Sequence, residues 1–379
     1  MAQDYARLYL ARAALGAPRD LVNTCIARFR PILPTVAIVH VTFVCDARCE
    51  MCNNWKRGDR KTDMTLEQIE RVFGSRFWRH IENANISGGE PTTRNDLVDI
   101  CRVLLDKLPR LRKLGMNTTG LTPHRAIPML TRIVEMANAR GVIFSVRVSI
   151  DGVGEVHDGV RRVERGFEKA GETIRAMQEL QRTRRFNFGI STAVFARNLH
   201  DADNILAWAR QENLDIVFNM IRFTEPMLGN ADLRGACQPV GPDEERMRQF
   251  FLERVRLDPL FDGQNYIYMH YADMIANGYH RLAPCPFQTQ GVMLNPDGGL
   301  FYCENSDQVG NVLDEDPAAI YFRAASLAHR NRIIREVCPG CLSPCQMNVS
   351  AIKQVVPYAK FLVRARREKR KAGRPAKAG

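Results

Sequence analysis

The chain has 379 residues, 45% of them apolar, enough for about two domains with a sizeable core. Its net charge of +12 sits at the ends: residues 1–30 carry +3, residues 346–379 carry +9 and the span between is neutral, so the body is not a basic nucleic-acid-binding surface. No run approaches the roughly 20 apolar residues of a membrane span and no secretory h-region is present; this predicts a cytoplasmic chain in which the clustered members of its eleven cysteines serve metal or cluster ligation rather than disulfides.

From the N-terminus, residues 4–29 read as two basic amphipathic helices broken near Gly16, Ala17 and Pro18. They suit either an anionic membrane surface or packing over the body, and Cys25 is expected there as a small buried hydrophobe. Val36–Phe43 then reads as a buried strand, and Cys45, Cys49 and Cys52 follow at spacing C-x3-C-x2-C. A loop leaving a strand can aim three soft thiolates at one locus. Three cysteines leave one corner of a four-iron cluster open, whereas zinc is usually closed by four ligands from paired knuckles.

Thr65 and Gln68 form a capping box at the start of a helix. A second strand, Asn83–Ile86, runs into Ser87-Gly88-Gly89-Glu90-Pro91. Glycine backbone and a carboxylate at that turn can approach an ammonium group. The helix Asn95–Leu108 carries Cys101 on its apolar face, so that cysteine is read as core. Strand Leu111–Met116 ends in Asn117-Thr118-Thr119-Gly120, and strand Ile143–Ile150 ends in Ser149-Ile150-Asp151-Gly152, with His157, Asp158, Arg161 and Arg162 beyond. Strands Phe186–Val194 and Leu214–Arg222 flank a helix over Asp201–Asn213. Strand and helix alternate six times, which predicts a parallel sheet covered by helices, with the cysteine loop and every pocket residue lying at a strand's carboxyl end.

On the cysteine triplet with Met51 before its last member, on Gly88-Gly89-Glu90-Pro91 and on Ser149-Ile150-Asp151-Gly152, the sequence resembles the radical SAM superfamily. The resemblance implies a partial (β/α)6 TIM-like barrel over residues 35–225. It implies a [4Fe–4S] cluster on Cys45, Cys49 and Cys52, with S-adenosylmethionine (SAM) chelating the open iron. In that family SAM is split to methionine and a 5′-deoxyadenosyl radical that abstracts hydrogen from a substrate, using an external one-electron reductant of the flavodoxin or ferredoxin type. Gly88, Gly89, Glu90, Asn117 and Ser149 are then the expected SAM-seating residues, with Met51 packed on the adenine. This chain has Thr119 where the family often has Asn. Asp151, His157, Asp158 and Glu304 are candidate acid–base groups, with loop shaping the other reading of His157 and Asp158.

Residues 226–279 read as a connector with a helix over Pro242–Arg256. Cys285, Cys303, Cys338, Cys341 and Cys345 then fall within 61 residues. Asn295-Pro296-Asp297-Gly298 is the turn of a hairpin whose far strand delivers Cys303. This pattern resembles the auxiliary-cluster half of SPASM and twitch radical SAM proteins, which implies a small cysteine-rich domain over 280–346 with a second [4Fe–4S] cluster. One cysteine of the five is spare, either Cys338 or Cys345, and Cys237 is an outside candidate. A four-thiolate zinc knuckle is the competing reading. Residues 347–379 form a basic tail that, like residues 1–34, suits peripheral contact with an anionic membrane at its inner face.

The expected activity is radical chemistry on a small metabolite or sugar, or on a lipid-linked substrate. A ribosomally made peptide is less favoured, because residues 1–35 are short for a leader-recognition domain. A non-catalytic module that binds SAM only as a ligand remains the alternative outside enzymes.

Overall fold

A computed structural model describes residues 22, 25–27, 31–260, 262–283, 285–343 and 355–372; the predicted helices over 4–29 fall almost entirely outside it, and Cys345 falls wholly outside. Six parallel strands form the body: β1 (Val36–Thr42), β2 (Asn83–Gly88), β3 (Lys113–Thr118), β4 (Ile143–Ser149), β5 (Asn187–Val194) and β6 (Ile216–Met220). Each pairs with its sequence neighbour, and β6 stays an edge, so the barrel is unclosed. Helices α1 (Leu66–Phe73), α2 (Leu97–Lys107), α3 (Pro123–Ala139), α4 (Glu155–Arg161), α5 (Gly166–Thr183) and α6 (Ala202–Gln211) lie between the strands.

Period-two alternation sets which strand face meets the helices. Ala37, Val39, Val41, Ile86, Leu114, Met116, Val146, Val148 and Ile190 enter one continuous apolar core, joined by Leu104 and Cys101 of α2. The predicted capping box is present: Thr65 Oγ1 accepts from Gln68 N, and Gln68 Oε1 accepts from Thr65 N. Cys25, expected in an apolar interior, is instead exposed.

The C-terminal hairpin extends the same sheet. Strand β7 (Gly291–Leu294) pairs parallel with β1, and β8 (Gly299–Phe301) and β9 (Gly310–Asn311) follow antiparallel, giving nine strands in the order β6-β5-β4-β3-β2-β1-β7-β8-β9. The inner face of β1 therefore has its own small core: Val36 and Ile38 pack on Phe287, Met293 and Phe301, with Cys285 and Cys303 against them.

Between β6 and β7 stand two helices, α7 (Pro242–Leu257) and α8 (Gly263–Ala276). The second had no sequence signature because it is buried on nearly every side, so it lacks an amphipathic period. Helices α9 (Pro317–Phe322) and α10 (Ala324–Glu336) follow the hairpin. The basic tail is helical too: α11 (Val355–Ala372) packs on α7 and α8. Tyr358 and Phe361 meet Tyr266, Arg364 pairs with Asp273 at 2.5 Å, and Arg256 pairs with Glu368 at 2.9 Å. Its aromatic face thus packs against the body. Among the described residues, no helix is long and apolar enough to cross a membrane.

Candidate active site

The cysteine loop leaves β1 and is clamped from two sides. Arg48 N and Glu50 N donate to the carbonyls of Arg161 and Val160 at the end of α4 (3.1 and 3.0 Å), and Asn230 Nδ2 donates to Met51 O (2.8 Å). Cys49 is buried, with Cys45 and Cys52 half-buried beside it. Burial pushes all three thiols up, that of Cys52 to about 11. Such thiols give up their protons readily only to a positive partner, which is the chemistry of a metal-ligand set rather than of a free nucleophile.

One cavity of about 310 Å³ lies against this loop at the carboxyl ends of the strands. Cys45, Cys49, Cys52 and Met51 line it together with Gly88, Gly89, Glu90, Asn117 and Ser149. Residues from four separate stretches of sequence therefore converge on one space.

The turn after β2 is welded to the loop. Gly89 N donates to Thr42 O at 2.7 Å and Glu90 N to Val44 O at 2.9 Å. A Cβ on Gly88, whose φ is +129°, would lie 2.1 Å from Thr42 O, and one on Gly89 would lie 2.3 Å from Val44 O. Close backbone approach to β1 is thus the physical reason for the glycine pair. The buried Glu90 carboxylate is held by threonines: Oε1 accepts from Thr92 N, Thr92 Oγ1 and Thr118 Oγ1 (3.0, 2.7 and 2.7 Å), and Oε2 accepts from Thr119 N (2.6 Å). Oε2 keeps acceptor capacity toward the cavity. Burial and the neighbouring Asp46 raise the Glu90 pKa. Thr119 also donates its hydroxyl to Asp46 at 2.9 Å, and Thr122 does the same at 2.9 Å. Thr119 therefore couples the two carboxylates.

On the opposite wall, Asp151 and Arg161 form a buried ion pair at 2.6 Å, and Arg161 Nη1 donates to Cys49 Sγ at 3.5 Å. Asp151 Oδ1 accepts from Ala193 N at 2.8 Å. The sequence supplied Arg161 as part of a motif, but its contact with a cysteine depends on how α4 folds back onto the loop. His157 does not face the cavity: its Nδ1 accepts from Asp151 N at 3.1 Å, and burial lowers its pKa to about 3. Asp158 Oδ1 accepts from Phe167 N at 2.7 Å in the first turn of α5. Both shape the loop, and neither lines the cysteine cavity.

The second set also converges. Cys285, Cys303, Cys338 and Cys341 line one narrow cavity walled by Phe287, Ile333, Ile334 and Val337. Burial raises the thiol of Cys303 and pushes that of Cys285 to about 11. Asn305 Nδ2 donates to Cys341 Sγ at 3.3 Å, and Arg281 Nη1 donates to Ser343 O at 2.5 Å and to Cys341 O at 3.3 Å. Cys237 is elsewhere, buried in the main core. The buried carboxylate of Glu304 lines this second cavity, not the first, and stands 3.6 Å from Arg222 Nη1. Arg222 lines the first cavity, so the pair bridges the two sites. Among the described residues, no group of three or more His, Cys, Asp or Glu side chains is arranged to hold a single metal ion.

Residues 39–209 match the Radical SAM superfamily. The chain is 35% identical over 226 residues to the AdoMet-dependent heme synthase of Methanosarcina barkeri, covering 58% of each chain. It is 26% identical over 194 residues to the GTP 3′,8-cyclase of Pasteurella multocida, covering 47% of this chain and 50% of that one. It thus spans about half the length of the curated relatives it matches. In fold it is similar to anSMEcpe, solved with AdoMet and the Cp18Cys peptide (TM-score 0.55, 13% identity, 88% of this chain and 99% of that one). SuiB of Streptococcus suis is similar as well (TM-score 0.52, 13% identity, 86% and 75%).

Proposed function

The chain belongs to the radical SAM superfamily, and on that premise we propose that it is an enzyme that takes a hydrogen atom from a small-molecule substrate at the cavity of the first cysteine loop. Members of this family bind a [4Fe–4S] cluster and SAM, and the donor set fits both. Three thiols leave one iron corner open, Glu90 Oε2 offers a free acceptor to an ammonium, and a guanidinium stands beside Cys49. Bound together, cluster and SAM supply a 5′-deoxyadenosyl radical when an external reductant, of flavodoxin or ferredoxin type in our reading, provides one electron.

The chain's own residues then have distinct tasks. Cys45, Cys49 and Cys52 hold iron. Arg161 offsets thiolate charge and is itself held by Asp151. Gly88 and Gly89 bring the turn against the loop, while Glu90, Asn117 and Ser149, which line the cavity, would hold SAM, and Met51 would pack beside its adenine.

For the second site we favour a [4Fe–4S] cluster on Cys285, Cys303, Cys338 and Cys341. The first cluster already commits the chain to iron–sulfur assembly, which weighs against the competing four-thiolate zinc knuckle. Its use follows from electron count: abstraction leaves a substrate radical, and a two-electron product requires an acceptor for the second electron.

The observation that carries this reading is the convergence of three cysteines, Glu90, Asn117 and Ser149 on one cavity. A small substrate is preferred to a lipid-linked one because the aromatic face of α11 is already covered. Anaerobically reconstituted enzyme given SAM and dithionite should release 5′-deoxyadenosine. An intact cluster that binds SAM and releases none would favour a non-catalytic SAM-binding module.

A further inference from the structure

The inner face of a parallel barrel is normally filled with branched aliphatic side chains. Here it is polar away from β1. Asn85, Lys113, Asn117, Ser145, Arg147 and Asn187 stand on strand faces whose alternate residues enter the helix-covered core. Two glycines border them: a Cβ on Gly115 would lie 2.5 Å from Asn85 Oδ1, and one on Gly189 would lie 2.3 Å from Asp215 O and 2.8 Å from Arg147 Nη1. Asn117 lines both the cysteine cavity and a second cavity of about 120 Å³. Lys113, Ser145 and Arg147 line that second cavity and also a wide cleft at the amino ends of the strands. Polar side chains therefore line the barrel interior in succession from the cysteine cavity to the opposite mouth.

The two cations on this path differ. Arg147 is satisfied, with Nη2 on Asp215 Oδ2 at 2.5 Å and Nη1 on Ile190 O at 3.0 Å. The Lys113 ammonium has no hydrogen-bond or ion-pair partner among the described residues, and it sits beside the Arg147 charge. A half-buried cation next to another cation lacks an anion. We propose that Lys113 anchors an anionic group of the substrate, a carboxylate or a phosphate, while the rest of that molecule extends along the lumen to Asn117 and the cysteine cavity. This rests on the reading of that cavity as the reaction site. Four residues of parallel strand separate Lys113 from Asn117, a rise of about 13 Å, so the substrate is elongated, with its acidic group roughly that far from the reacting carbon.

Calorimetric binding of inorganic phosphate and of glutarate to the reconstituted enzyme at low salt tests the anchor. At least one should bind saturably at a single site, and which one binds distinguishes phosphate from carboxylate. Lys113→Gln should weaken binding about tenfold or more, whereas Lys113→Arg and the surface control Lys61→Gln should keep it. Absence of saturable binding by either anion, or unchanged binding in Lys113→Gln, overturns the proposal. Should Lys113→Gln melt early, amine acylation of the wild-type enzyme replaces it: the anion must slow labelling of Lys113 and leave Lys61 unchanged, and equal labelling refutes the anchor. Because the readout is binding, an enzyme that never cleaves SAM yet loses anion affinity in Lys113→Gln would refute the reaction and leave the anchor standing.

Discussion

The two cysteine sites solve opposite problems with the same ligand. At the first, three thiols border a cavity of about 310 Å³ whose other walls carry carboxylates, amides and a guanidinium. At the second, four thiols enclose a narrow space walled by Phe287, Ile333, Ile334 and Val337. Metal sites that do chemistry keep a ligand position open, and sites that only hold or pass charge are closed by protein. Ligand count and openness vary together here. The lesson is one of room: the first cavity has space for a small molecule beside its three thiols, and the second leaves only a narrow gap among its four described ones. Arg222 joins them: its Nη1 stands 3.6 Å from the buried Glu304 carboxylate and donates to Ser343 Oγ at 3.4 Å.

The contrast breaks most sharply on substitution of the cysteines. Replacing Cys45, Cys49 and Cys52 together by Ala should reduce 5′-deoxyadenosine formation to background in an anaerobic assay, because no other described thiols border that cavity. Replacing Cys303 or Cys341 should leave SAM cleavage within about threefold while the two-electron product is lost. Unchanged product after verified loss of the second cluster would show that the closed site has no redox task.

A smaller effect sharpens the chemistry of the open site. Arg161→Leu strands the buried Asp151 carboxylate, and chemical denaturation should show a loss of about 3–5 kcal/mol. A loss below about 1 kcal/mol would mean that the pair is not desolvated. The seat of the C-terminal hairpin on β1 gives the subtlest test. His40, whose Nδ1 meets Asn295 Oδ1 of the hairpin turn at 2.9 Å, is buried, and its pKa is lowered from 6.5 to about 4 by that burial. The unfolded chain takes up this proton near pH 6.5 and the folded one only near pH 4. The stability that neutral His40 contributes is therefore full above about pH 6.5 and falls, by about 3 kcal/mol in all, as pH drops toward 4. His40→Gln should flatten that part of the stability–pH curve; an unaltered slope would mean that His40 is charged in the folded state.

Much of the first site was legible because its residues recur at strand ends. Once Val36–Phe43, Asn83–Ile86, Leu111–Met116 and Ile143–Ile150 read as parallel strands, Cys45, Glu90, Asn117 and Ser149 had to share one rim. The second site was legible as a group: spacing alone could not separate Cys338 from Cys345, which lies outside the described residues, and the turn at Cys338–Gly340 places Cys338 on the same cavity as Cys341. Side-chain partners were not legible. Arg161 on Cys49 and Thr119 between Glu90 and Asp46 are contacts between residues 112 and 73 positions apart, respectively, in the chain. The polar lumen did leave a trace. Lys113-Leu114-Gly115-Met116-Asn117 and Ser145-Val146-Arg147-Val148-Ser149 alternate strictly, whereas strands buried on both faces read as nearly continuous apolar runs.

The most direct test of the open site is the spectrum of its iron. Anaerobically reconstituted, reduced enzyme should show a four-iron paramagnetic signal that changes on addition of SAM, and the SAM-sensitive signal should be missing from the Cys45→Ala, Cys49→Ala, Cys52→Ala triple variant while the second cluster's signal persists. A SAM-responsive signal that survives in that variant, or a wild-type spectrum that SAM leaves unaltered, would contradict the assignment of these three cysteines.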